Sequence, residues 1–229
     1  MRQMSTRTFW RTIALVVVSV ASTQLAVQAL AHHEDADCGG VTVLAPESTA
    51  SSSSEQAALP QGWQPRDFDG LTLGLPAGWG SAVLADGEVA VLGLCPTRVE
   101  AELYGTLLAR PGALAVLADP GEPMGSRTRG IVYSYDTEGS LNEDDLLASL
   151  RDSVGTADLQ GLRSDPEYAA FSHPEEPAAI VTSRFTDESV MRDYFVSFPR
   201  HLVLLEAPAR DAETSPELVE SIAATLSST

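Results

Sequence analysis

The chain has 229 residues, 44% of them hydrophobic, 20% charged and 6% aromatic, with a net charge of -18. That apolar fraction suits a packed globular domain, and the acidity argues against nucleic acid and anionic membrane surfaces as partners, because both recruit clustered cations. All 14 basic residues are Arg, and the missing Lys excludes a Walker A loop, Schiff-base or pyridoxal phosphate chemistry and an S-x-x-K acylase.

At the amino terminus Arg2, Arg7 and Arg11 precede an apolar run from Ile13 to Ala21. A semi-polar stretch follows, with two small-x-small cleavage sequences, Val27-Gln28-Ala29 and Ala29-Leu30-Ala31. This is the three-part pattern of a secretory signal peptide, assigned to residues 1–31. Ser22, Thr23, Gln24 and Gln28 break the run before the ~20 apolar residues that a membrane span needs. The expectation is an extracytoplasmic protein, periplasmic or secreted, with no membrane insertion after cleavage.

Residues 32–61 read as an acidic, Ser-rich arm and linker, with Ser51-Ser52-Ser53-Ser54 at its centre. Asp35-Ala36-Asp37 before Cys38 is unlike a lipobox, so Cys38 is not expected to be acylated. In an oxidising compartment Cys38 and Cys95, the two cysteines of the chain, are expected to pair. Val41-Thr42-Val43-Leu44 is then a candidate edge strand held nearby. His32-His33-Glu34-Asp35-Ala36-Asp37 is a candidate site for Cu(II), Ni(II) or Zn(II), with His32 and His33 as ligands. The competing reading is a polar segment that merely follows the cleavage site.

The domain spans residues 62–229. Leu71, Leu73 and Leu75 alternate as a strand closed by Pro76-Ala77-Gly78, and Val89 to Leu94 is a second, nearly continuous one. Ala101–Arg110 and Ala113–Ala118 flank Pro111-Gly112 as a hairpin, with a helix through Glu100–Ala109 as the alternative. Ile131, Tyr133 and Tyr135 alternate again. Ser140-Leu141-Asn142-Glu143 has capping-box spacing, and Leu146, Leu147, Leu150 and Val154 extend a helix over 141–154. Ala179–Phe185, Val190–Phe198 and His201–Ala207 are strands; Leu202, Val203, Leu204 and Leu205 run without alternation, which predicts cover on both faces. Pro216, then Leu218, Ile222 and Leu226, predict a final amphipathic helix. The fold class is α+β, an antiparallel sheet flanked by helices.

Phe68-Asp69-Gly70-Leu71-Thr72-Leu73-Gly74-Leu75-Pro76-Ala77-Gly78-Trp79 resembles the opening signature of the PsbP-like family, in which an apolar strand runs into Leu-Pro-x-Gly-Trp. The closing strands and helix resemble that family's C-terminal half, as in small secreted bacterial members and mycobacterial lipoproteins. The resemblance implies an α/β/α sandwich and binding or accessory roles, with no shared catalytic set. The chain departs from it in lacking Lys and, relative to the lipoprotein members, a lipobox; no photosynthetic role is implied.

No G-x-S-x-G, H-E-x-x-H, C-x-x-C or G-x-G-x-x-G occurs. His173, in Phe171-Ser172-His173-Pro174-Glu175-Glu176, is expected in solvent, and His201 at the start of a strand. Either could still meet Ser and acid groups in space, which keeps an uncharacterised hydrolase as an alternative. Glu143, Asp144 and Asp145 are expected to favour a helix N-terminus rather than to bind a cation. Asp67-Phe68-Asp69-Gly70 reads as a turn, and Trp63 and Trp79 as packing more than as a ligand groove. The resulting expectation is a non-enzymatic binding or accessory protein, monomeric, without a cofactor, acting on a protein or small ligand. Metal binding through His32 and His33 is the rival from another class.

Overall fold

The computed structural model describes residues 38, 40–44, 59–123, 126–154, 162–209 and 216–228. The proposed signal peptide, His32, His33 and the Ser-rich segment lie outside the described residues.

In chain order the strands are β1 (Thr42–Val43), β2 (Trp63–Phe68), β3 (Leu71–Pro76), β4 (Gly80–Ala85), β5 (Glu88–Leu92), β6 (Ala113–Ala118) and β7 (Thr128–Asp136). They continue with β8 (Glu167–Ala170), β9 (Ala178–Arg184), β10 (Val190–Ser197), β11 (His201–Ala209) and β12 (Ser227–Ser228). The helices are α1 (Arg98–Leu108), α2 (Glu143–Val154) and α3 (Pro216–Ala223). Nine strands form one sheet in the order β1-β5-β4-β6-β7-β11-β10-β9-β8, and β12-β3-β2 form a second. All pairs are antiparallel except β1 with β5. This is an α+β fold.

The central strands of the large sheet are buried on both faces. On one face α1 and α2 cover a core containing Val91, Tyr104, Leu107, Tyr133, Leu146, Leu150, Phe195 and Leu204. On the other, the small sheet and α3 cover a core of Leu73, Leu75, Trp79, Tyr194, Val203, Leu205 and Ile222. Leu202, Val203, Leu204 and Leu205 are all at most 1% exposed, so the unalternating run has the two-sided cover its sequence predicted.

Arg98–Leu108 forms helix α1, as in the helical alternative for this segment, so the hairpin reading is corrected. Thr97 caps the helix: its hydroxyl accepts from Glu100 N, and the Glu100 carboxylate accepts from Thr97 N at 2.9 Å. That reciprocal pair supplies a helix start that a strand would lack. Pro111-Gly112 therefore joins helix to strand. Gly112 has a φ of 81°, and a Cβ there would lie 2.7 Å from Tyr135 Cε1 and 2.9 Å from Ser134 O. Gly112→Ala combines a left-handed backbone with that overlap. It is expected to cost about 1–3 kcal/mol in urea unfolding.

The second helix starts at Glu143, not at residue 141, because its cap is Asn142 rather than Ser140. Asn142 Oδ1 accepts from Asp145 N at 2.9 Å, and Asn142 Nδ2 donates to Asp145 Oδ2 at 2.7 Å. Strand β5 likewise stops at Leu92, short of Leu94. Two tight hairpins turn on Asp69-Gly70 and Asp86-Gly87, all four residues at positive φ, as a two-residue antiparallel connection demands. Cys38 and Cys95 form a disulfide across 57 residues, with their Cα atoms 4.7 Å apart. It holds β1 against β5 at one end of the sheet.

Candidate functional site

The polypeptide forms a cleft of about 550 Å³ where the small sheet ends over the large one. Five segments line it. The β2–β3 turn gives Asp69 and Gly70, leading into Leu71; β6 gives Leu114; β7 gives Ser134 and Asp136; the β10–β11 turn gives Pro199 and Arg200, leading into His201; and β12 gives Ser228. The volume falls within the range of small-molecule sites, about 300–1,000 Å³.

Its chemistry follows from strand alternation. Tyr133 and Tyr135 point into the helix-covered core, so Ser134 between them faces the cleft. His201 opens β11 and is the register partner of Asp136, with Nδ1 3.5 Å from Asp136 Oδ1. Arg200 is exposed on the turn, and its guanidinium makes no ion pair among the described residues. Half-buried Leu114 adds apolar surface beside these charged groups, and Leu71 lines the cleft as part of the core beneath it.

His173 is not in solvent as expected from sequence; it is half-buried. Its Nε2 donates to Leu226 O at 2.9 Å, while Nδ1 accepts from Glu176 N at 3.0 Å. Burial lowers its pKa, and the bond to the Leu226 carbonyl opposes that shift. A loop histidine is drawn inward here because it satisfies backbone groups on both sides. Among the described residues no serine hydroxyl bonds either His173 or His201, so neither is part of an assembled Ser-His pair.

Glu143, Asp144 and Asp145 are exposed in the first turn of α2. Trp79 is buried and Trp63 packs against the same core. No group of three or more His, Cys, Asp or Glu is arranged to hold a metal among the described residues. None of the described helices is long and apolar enough to cross a membrane.

One group of residues had no place in the sequence reading. Asp193 and Glu206 are 1% and 2% exposed, and they are direct partners across the β10–β11 register. Both face the helix-covered core by alternation with Phe195 and Leu204. Tyr133 hydroxyl donates to Glu206 Oε2 over a long 3.4 Å, and Arg110 Nη1 donates to the Tyr133 hydroxyl at 3.2 Å. Burial, and then the Glu206 charge, push the Asp193 carboxyl well above the usual range. Burial also raises Glu206, against the opposing pull of Arg110 and Tyr133. An acid at an inward position of an apolar run is the only sequence signal of this pair, and it says nothing of the partner strand.

No family model and no curated protein matches the chain. Among solved structures it is similar to the solution structure of cyanobacterial PsbP (CyanoP) from Synechocystis sp. PCC 6803. The identity is 11% and the TM-score 0.45, over 81% of this chain and 100% of that one. It is also similar to a crystal structure from Bacteroides thetaiotaomicron VPI-5482, at 12% identity and a TM-score of 0.37. That match covers 70% of this chain and 45% of the other.

Proposed function

We propose that the chain is an exported, non-enzymatic binding or accessory protein that recognises its ligand in the cleft at Arg200. The observation that carries this reading is a guanidinium without an ion pair among the described residues, set beside Leu71 and Leu114 in a concave site of ligand size. The chemistry fits a carboxylate next to an apolar group, on a small molecule or at the end of a peptide. Arg binds a carboxylate bidentately while Leu114 accepts the apolar part. Asp69 and Asp136 disfavour ligands with further negative charge. Export is supported by the Arg-led apolar segment and by the Cys38–Cys95 bond, since disulfides persist in oxidising compartments. The resemblance of residues 68–79 to the PsbP-like opening signature agrees with an accessory role.

The test is nitrogen-15 NMR of the chain titrated with acetyl-Ala-Leu-Ala bearing a free carboxylate. Amide shifts are expected at Gly70, Ser134 and His201, and Arg200→Ala is expected to weaken binding at least tenfold. That factor corresponds to losing one charged hydrogen bond, about 1.5–3 kcal/mol. Shifts confined to other surfaces, or an unchanged affinity in the variant, would remove the cleft as the recognition site.

A further inference from the structure

We propose that Asp193 and Glu206 form a built proton site: at neutral pH the pair keeps one proton, so that a single negative charge faces the single guanidinium of Arg110, and loss of that proton in alkaline solution destabilises the fold. The inference is independent of the ligand reading, since these groups lie on the opposite face of β7 and β11 from the cleft.

The geometry sets the charge balance. The two carboxyls are cross-strand partners in a layer that water does not reach. Two like charges so placed, both desolvated, disfavour double ionisation. The elements around them offer little compensation. Strand β7 presents Tyr133 and Tyr135, whose own hydroxyls burial holds far from ionisation. Strand β9 presents Val181 and Ser183, and the Ser183 hydroxyl, wholly buried, has no hydrogen-bond partner among the described residues. Helix α1 packs Leu107 and Leu108 into this core, and Tyr104, whose charged neighbours are Glu100 and Arg127. Helix α2 supplies Leu146 and Leu150, and its Arg151 lies over the Tyr168 ring. Among the described residues Arg110, just past the end of α1, is a cation that reaches the pair, through Tyr133. One oxygen of Asp193, Oδ1, has no hydrogen-bond partner among the described residues. An ionised oxygen left so would cost far more than a neutral one.

The sign follows from the raised pKa values. Each carboxyl is an ordinary acid when unfolded, with a pKa near 4, and a weaker one when folded. Its stabilising contribution is therefore complete below about pH 4 and is lost as pH rises through the folded values. While the folded chain holds one extra proton, the folding equilibrium constant falls about tenfold per pH unit. His173, with its lowered pKa, acts in the opposite sense below neutrality, and comparing variants with the parent cancels it.

The experiment combines urea unfolding of the full chain from pH 5.5 to 9 with a carbon-13 titration of the two side-chain carboxyls. Asp193→Asn is expected to flatten the pH slope and to exceed the parent in stability at pH 9, and one parent carboxyl is expected to stay protonated at pH 7. Two ionised carboxyls at pH 7, or equal slopes in parent and variant, would overturn the proposal. Should Asp193→Asn not fold, Glu206→Gln makes the same comparison, and the parent titration decides by itself.

Discussion

Leu204→Ala and Leu205→Ala, made separately, are each expected to lower the free energy of unfolding by about 2–5 kcal/mol. The total for a domain is about 5–15 kcal/mol, so either variant removes a large share. These neighbours point to opposite faces of β11. Leu204 packs with Phe195 and Tyr133 beneath the helices, and Leu205 with Val132 and Leu117 beneath the small sheet. In a sheet with one wet face, one of the two truncations would be nearly silent. Equal, large losses in urea unfolding identify a strand covered on both sides; a loss at Leu204 alone would mean that the small sheet and α3 do not seal their face. Leu84→Ala is the control. That side chain is 45% exposed, and its loss should stay within about 0.5 kcal/mol.

The second large effect concerns the disulfide. Replacing both Cys38 and Cys95 by Ser is expected to cost about 2–4 kcal/mol, with the chain-entropy value of about 4 kcal/mol as the ceiling for a loop of 57 residues. The damage should be local in its first signs. Strand β1 has two residues and, among the described residues, one partner strand, β5, so it is fixed mainly by the covalent tether, two register pairs and the packing of Val41. Hydrogen exchange should therefore speed up first at Leu44, whose amide donates to Val91 O at 2.7 Å. Unchanged stability together with unchanged exchange at Leu44 would show that the bond contributes nothing to the fold.

Much of the fold was legible because burial leaves a period in the sequence. Leu71, Leu73 and Leu75 gave β3, Ile131, Tyr133 and Tyr135 gave β7, and the spacing of Leu146 and Leu150 gave α2. Strand β2 was not legible. Its sequence Trp63-Gln64-Pro65-Arg66-Asp67-Phe68 is polar and contains Pro, which an edge strand of a small sheet tolerates. Strand β8 is short and mostly exposed at the edge of the large sheet, so no apolar alternation marks it. Helix α1 was ambiguous by periodicity, although the Thr97–Glu100 box was there to be read.

By itself the sequence determined the acidic, Lys-free chemistry, the cysteine pair, the α+β class and the double-sided cover of β11. These are properties of composition and of periods a few residues long. Only the tertiary structure decided the strand order, which sets β7 beside β11 across some seventy residues of chain. That order brings Asp69, Leu114, Asp136, Arg200 and Ser228 to one cleft, and Asp193 to Glu206 through the β10–β11 register. The physical reason is that side-chain alternation records which face a residue occupies, whereas the neighbour on that face depends on the packing of the whole sheet.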